Sequence, residues 1–388
     1  MNNIKLMNKI AECGTDLLDR KYYNVSADVE NESAVMVRSA TLHEMKFNDN
    51  LLAIARCGAG VNNIPIDRCT EEGIVVFNTP GANANGVKEL AICALMLSAR
   101  DIVGGIEWAK TLKGTEGVAK AVEGGKSAFG GTELAGKTLG VIGLGAIGGM
   151  VANVATHLGM DVIGCDPFLS VEGAWSLSRS VKRATTFEEI FEKSDYITLH
   201  VPATKDTKNM ICKKSIALMK DGVRIINLSR ADLVCSEDIK EATASGKVAK
   251  YVTDFPTEDV LDSENIICIP HLGASTAESE DNCAIMAAKE LDAFIRFGTI
   301  RNSVNFPNVE LPETGELRIC LLHANVPSVL SQISGALSEQ NINIENLINK
   351  SKGNNAYTVV DINGTLPEEI LQKLQAINGM IKIRTITL

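Results

Sequence analysis

The sequence predicts an α/β protein: two doubly wound, parallel-sheet (Rossmann-like) domains, then a small ferredoxin-like βαββαβ domain at the C-terminus. Three observations carry this expectation. Short β-branched runs alternate with helical patterns as far as Gly298, the signature of parallel strands joined by crossover helices. At residues 140–150, GVIGLGAIGGM, three glycines stand between a strand and a helix. Beyond residue 315 the order changes to strand, helix, two strands, helix, strand. A chain of 388 residues exceeds what a single core usually serves, so more than one domain is expected.

Taken in order, AVMVRSA (34–40), LLAIARCG (51–58) and GIVVFNTPG (73–81) read as strands, the last broken by Pro80 and Gly81. Apolar residues at helical spacing predict a helix over 87–100. Residues 114–131 are glycine-rich and polar and read as a loop or short linker. A regular series follows: strand TLGVIGL, helix IGGMVANVATHLG and strand DVIGCDP. Four further short strands lie at 197–202, 224–230, 249–255 and 265–270, with helices such as CKKSIALMK and SEDIKEATASG between them. Ser275 and Glu278 fit a capping box for a long helix that Gly298 ends. Residues 299–315, with Pro307, Pro312 and Gly315, read as a linker.

Composition narrows the partners. The chain is 45% hydrophobic and 22% charged, ordinary for a globular protein. Its net charge of −10 and pI near 5.2 disfavour nucleic acid and anionic membranes, whose phosphates it would repel. A small anion needs only a local basic pocket. No apolar run is long enough to span a bilayer, and MNNIKLMNKIAECG lacks the apolar core and cleavage site of a secretory signal. Ten cysteines are scattered, with no C-x-x-C pair and no metal-ligand spacing, so no metal is expected. Most sit in apolar contexts, as in AICAL and IICIP, which suits a reducing cytoplasm.

The glycine segment sits where a dinucleotide turn would. Gly143 permits a tight turn, Gly145 lets the backbone approach a pyrophosphate, and Gly148 lets helix and strand pack closely. The helix N-terminus at Gly145, Ala146, Ile147 and Gly148 offers amide donors and a positive dipole. Asp166 follows at the end of the next strand, where a ribose-binding acid is expected. A carboxylate there accepts from ribose hydroxyls and repels a 2′-phosphate, so NAD is favoured over NADP. Its alternative is a turn aspartate before Pro167. Arg230, Glu258 and His271 stand just after three consecutive strands, at the sheet edge where ligands bind in such folds. Arginine binds a carboxylate and polarises a carbonyl. Histidine exchanges a proton near neutral pH, and an adjacent glutamate orients it. His200, also at a strand end, reads as a structural or cofactor-side residue.

GKTLGVIGLGAIG, LHVPAT, INLSR, DFPTE and PHLGAST together resemble the motifs of the D-isomer-specific 2-hydroxyacid dehydrogenases, in that family's order. The resemblance implies catalytic roles for Arg230, Glu258 and His271, and cofactor contacts at His200, Pro202, Ser229 and Asp254. It implies a discontinuous substrate-binding domain (1–84 and 272–304), an NAD-binding domain (85–271), a linker (305–315) and a regulatory domain (316–388). VRSAT, ARCGAGVNNI and NSVNFP are similar to segments of the members that oxidise a phosphorylated hydroxy acid, 3-phospho-D-glycerate. By that likeness Arg38, Ser39 and Arg56 bind phosphate, the loop Gly58, Ala59 and Gly60 holds the carboxylate, and Asn83 lines the site. Solvated surface arginine is the alternative for Arg38 and Arg56. The tail resembles an ACT domain, an amino-acid-sensing module. HANVPSVL and NINIEN then place His323, Asn325 and Asn343 at an L-serine effector site between subunits of a homodimer or homotetramer.

Three departures stand out. The family's L-D-V-F-P-T-E reads V-T-D-F-P-T-E, with Thr253 in the aspartate place and Asp254 one residue later. Its G-V-D-N-I carries Asn62, and the glycine expected after Pro327 is Ser328. Two other readings stay open: a dehydrogenase of another D-2-hydroxy acid, and a non-catalytic NAD-sensing protein on the same scaffold.

Overall fold

The computed structural model describes all 388 residues. It contains two compact units, Met1–Ala82 with Glu280–Leu388, and Asn83–Ser279.

The first unit holds a five-stranded parallel sheet of β1 (Asn2–Leu6), β2 (Tyr23–Ser26), β3 (Ala34–Val37), β4 (Ala53–Arg56) and β5 (Val75–Asn78). Their spatial order is β2-β1-β3-β4-β5, so the winding reverses between β1 and β3. β1 and β2 lack the β-branched alternation of the other strands. β1 carries Asn2, Asn3 and Lys5 and half-buries its side chains, which is why periodicity does not reveal it. The helix Ala277–Phe297 packs Ala284, Ala287, Ala288, Leu291 and Phe294 onto this sheet.

The second unit is a seven-stranded, all-parallel sheet. Its strands are β6 (Thr138–Ile142), β7 (Asp161–Cys165), β8 (Lys182–Arg183), β9 (Tyr196–Leu199), β10 (Val223–Asn227), β11 (Val248–Thr253) and β12 (Ile266–Cys268). The order β12-β11-β10-β9-β6-β7-β8 reverses between β6 and β9, as in dinucleotide-binding folds. Apolar clusters cover both faces. Residues 114–131, expected as a loop, instead form the helix Val118–Gly125 and a 3-10 turn, Lys126–Phe129. Trp108 holds this segment by packing on Phe129, a tertiary contact with no local sequence signal. The cap of the long helix is also corrected. Thr276 Oγ1 accepts from the Ser279 amide at 3.1 Å, whereas Ser275 turns its hydroxyl back toward the His271 carbonyl.

The C-terminal module has the expected β-α-β-β-α-β order, with β13 (Leu317–Ala324), β14 (Ile344–Lys352), β15 (Asn355–Ile362) and β16 (Met380–Thr387) in an antiparallel sheet ordered β14-β15-β13-β16. Its helices cover one face through Ile333, Leu337, Ile370 and Leu374. The other face puts Cys320, Leu322, Tyr357 and Val359 into the same core as β1 to β5. Residues 305–315, read as a linker, carry Phe306 and Val309 into that core and form a bound strap.

Candidate active site

In the second unit the C-terminal ends of the strands converge on one edge. After β6, Gly143 has φ +89°, and a Cβ there would lie 2.4 Å from the His200 carbonyl oxygen. A Cβ at Gly148 would lie 1.9 Å from the Gly143 carbonyl oxygen. Both glycines are therefore obligatory for this loop. Gly145 has open space where its Cβ would stand, the condition for close approach of a phosphate to the backbone. It opens the helix Ala146–His157, whose first-turn amides have no intrahelical acceptor.

Asp166, after β7, is half-buried. Its Oδ2 accepts from the Leu144 amide of the glycine loop at 2.9 Å and its Oδ1 from the Phe168 amide at 2.8 Å. The carboxylate thus braces the loop, and each oxygen keeps further lone-pair capacity for ribose hydroxyls. His200, after β9, has Nε2 3.0 Å from Thr198 Oγ1 and a buried Nδ1 without partner. Burial pushes its pKa down to about 4, so its ring is neutral at ordinary pH. Pro202 is exposed and its carbonyl accepts from Thr207 Oγ1 at 2.6 Å. The Ser229 hydroxyl donates to the Leu199 carbonyl at 2.6 Å, which ties the ends of β9 and β10.

Arg230, exposed, folds its Nη1 onto the Ser229 carbonyl, and its guanidinium lies 5.7 Å from the Phe255 ring centroid. The His271 imidazole packs on the same phenyl ring, 4.4 Å between centroids at 48°. Phe255 therefore supports both proposed catalytic side chains, a role the motif reading missed. Asn227 was missed too: fully buried at the end of β10, its Nδ2 donates to the Arg230 carbonyl at 2.8 Å and fixes that turn. Its uncharged amide in an apolar strand gave no sign of this.

The expected Glu258–His271 charge pair is not formed. Glu258 opens an exposed 3-10 turn and makes no hydrogen bond or ion pair. Asp254, 1% exposed, is a carboxylate whose charge interacts with His271. Burial raises its pKa above the usual carboxylate value, and the charge of His271, the Gly273 amide and the charge of Arg230 pull it back. Thr253 turns the other way and accepts from the Phe255 amide at 3.1 Å. The one-residue displacement in the motif thus exchanges which side chain leaves the strand on the side of the sheet carrying Val252.

In the first unit, Arg38 follows β3 and Arg56 ends β4. Asn8, just beyond β1, accepts through Oδ1 from the amides of Arg38, Ser39 and Ala40 at 2.9–3.1 Å. It fixes this loop at the reversal of the sheet, another positioning residue without a sequence signal. Arg38 pairs with Glu280 at 2.6 Å, both about 40% exposed. Gly58 has φ +140°, and a Cβ there would collide with the Arg56 guanidinium, 1.5 Å away. Asn78 Nδ2 donates to the Ala59 carbonyl at 2.7 Å and shapes the loop that ends at Gly60. Asn83 begins the second unit ahead of the helix Ala84–Ala99 and makes no side-chain cap.

In the C-terminal module His323 is 3% exposed, with Nδ1 2.8 Å from the Ala324 carbonyl and Nε2 2.8 Å from Thr358 Oγ1. Its ring is spent internally. The Asn325 amide donates to the Gly353 carbonyl and the Asn343 amide to Glu345. No hydrogen bond joins these three side chains.

A reversed parallel sheet with an obligatory glycine loop, a carboxylate after the second strand, and arginine and histidine at the same edge define a nicotinamide-dinucleotide dehydrogenase. Residues 99–273 match the model of the D-isomer specific 2-hydroxyacid dehydrogenase NAD binding domain. The chain is 34% identical over 351 residues to D-3-phosphoglycerate dehydrogenase of Escherichia coli strain K12, covering 87% of this chain and 82% of that one. Against D-3-phosphoglycerate dehydrogenase 1 of Saccharomyces cerevisiae it is 31% identical over 386 residues, covering 92% and 79%. The structure of NAD+-bound 3-phosphoglycerate dehydrogenase from Entamoeba histolytica matches with a TM-score of 0.61 at 28% identity, over 78% of this chain and 98% of that one. The chain belongs to the D-isomer specific 2-hydroxyacid dehydrogenase family, within its D-3-phosphoglycerate dehydrogenases, and its cofactor is NAD.

Proposed function

We propose that the protein oxidises 3-phospho-D-glycerate to 3-phosphohydroxypyruvate, the step that opens serine synthesis. The observation that carries this is the single sheet edge on which the glycine loop, Arg230, Asp254 and His271 stand together. NAD supplies the hydride acceptor for C2 of the substrate. The amides of Gly145 to Gly148 hold its pyrophosphate, Asp166 its ribose, and Asp254 takes the amide donors of the nicotinamide end. His271 removes the C2 hydroxyl proton and returns it in the reverse direction. Arg230 binds the carboxylate and polarises the forming carbonyl. Arg38 and Arg56 bind the phosphate, and the loop Gly58–Gly60 and Asn83 complete the substrate contacts.

The ten free thiols fit a cytoplasmic setting, and no helix is long and apolar enough to cross a membrane. A homo-oligomer built through the open edge of β14, with L-serine as effector, belongs to the same reading. With His323 engaged internally, Asn325 and Asn343 are the groups left to meet that ligand. Calorimetry with L-serine tests it.

The experiment that decides the substrate is NADH oxidation against a panel of 2-keto acids. Turnover of 3-phosphohydroxypyruvate far above pyruvate and hydroxypyruvate is expected. Arg56→Ala should raise KM for the phosphorylated acid roughly tenfold or more, since a charge-assisted hydrogen bond contributes about 1.5–3 kcal/mol. Equal turnover of the unphosphorylated acids would assign the enzyme to another D-2-hydroxy acid.

A further inference from the structure

A cavity of about 480 Å³ opens beside the helix Ala277–Phe297. Ile285, Met286 and Ala293 from the helix, with Ala82, give it an apolar wall. Lys289 and Arg301 supply cationic groups to its lining, and Arg301 is otherwise paired with Glu310. The volume lies within the range of small-molecule sites.

The feature that marks it is Glu290. This carboxyl is 6% exposed and lines the cavity. Oε1 accepts from Asn302 Nδ2 at 2.7 Å, and Oε2 is buried without any partner. Asn302 is held for this at φ +56°, a left-handed conformation uncommon outside glycine. Burial pushes its pKa up to about 8, so near neutral pH it is mostly the neutral acid, and a cation brought against it would draw it back to the carboxylate. The charged and titratable groups around it are Lys289, Arg301 and the buried Cys57 thiol. None of them hydrogen-bonds it.

A ligand complementary to this arrangement brings a cationic N–H donor to Glu290, an anion to Lys289 and Arg301, and an aliphatic body to the wall. We propose that this cavity is a binding site for a free α-amino acid with an apolar side chain, its ammonium group held by Glu290 and its carboxylate by Lys289 and Arg301. A simple amine would lack a partner for the two cations, and a simple carboxylic acid would leave Glu290 as it is.

Isothermal titration of the full-length protein tests this with three probes: L-leucine, isopentylamine and 4-methylpentanoate. L-Leucine should bind at least about tenfold more tightly than either half-ligand. Glu290→Gln should weaken it about tenfold or more, because glutamine cannot ionise to meet the ammonium group. Ala293→Phe fills the wall and should abolish binding while leaving Glu290 in place, so a folding defect in one variant does not decide the matter. Dehydrogenase activity without leucine should be unchanged in both variants. Absence of heat with leucine up to 10 mM (about the weakest affinity of interest,) overturns the proposal. So does equal binding of isopentylamine, or full retention of binding by Glu290→Gln.

Discussion

At the scale of single residues, the second unit places a buried carboxylate, Asp254, one position beyond the family's aspartate. Asp254 is buried, and burial outweighs the pull of His271, the Gly273 amide and Arg230 on its charge. Its folded pKa lies above its unfolded value, so folding stability is lost as pH rises through the folded pKa. Asp254→Asn removes that cost at neutral pH. The variant should melt higher than the parent without cofactor, and NADH should raise its Tm by less. A lower Tm, or an undiminished NADH effect, would show that Asp254 is already satisfied. The two edge histidines separate on the same physical ground. His200 is neutral from burial, whereas His271 is exposed, its ring packed on Phe255. His271→Ala should therefore lower kcat by about 10²–10⁴-fold with NADH affinity retained. A larger kcat loss in His200→Ala would reverse the assignment.

At the scale of elements, the segment before the helix Val329–Ser338 shows what a single departure does. Ser328 occupies the helix N-cap with φ +69° and makes no side-chain cap. A left-handed backbone costs an L-residue about 1–2 kcal/mol relative to glycine. Ser328→Gly should stabilise the protein by about 1 kcal/mol in denaturant titration; no gain would mean that the turn relaxes around serine. The position was legible because one residue broke a known pattern. The same holds for the glycine loop and the strands β3 to β7 and β9 to β12, where periodicity and local chemistry agree with the fold. What was not legible depends on tertiary contact. β1 is polar in sequence because only part of it is covered. Asn8, Asn227 and Phe255 act through backbone groups or rings brought to them by the sheet edge. The absence of a Glu258–His271 pair could not be read either, since spacing along a chain does not fix where a turn aims its side chain.

At the scale of the whole molecule, the C-terminal sheet is built into the first unit rather than attached to it. Beside the shared apolar core, Arg318 and Asp361 form a fork-to-fork ion pair, both bonds 2.7 Å, with side chains 1% and 0% exposed. Arg318 also donates to the carbonyls of Phe297, Leu311 and Pro312. Thr314 donates its amide and hydroxyl to Asp361. One buried pair thus binds β13 and β15 to the end of the long helix and to the strap. Such a pair has few spare groups, so losing one charge leaves the other buried and alone, at a cost of about 3–5 kcal/mol. Asp361→Asn keeps the shape and removes the charge. Hydrogen exchange should then show lost protection in β13 and β15, and equally in β4 and β5, because Tyr357, Cys320, Phe294 and Phe77 belong to one core. Strands β6 and β9 to β11, in the other unit, should keep their protection. Faster exchange confined to β13–β16 would mean that the module opens alone, and that the strap residues Phe306 and Val309 anchor the first sheet without it.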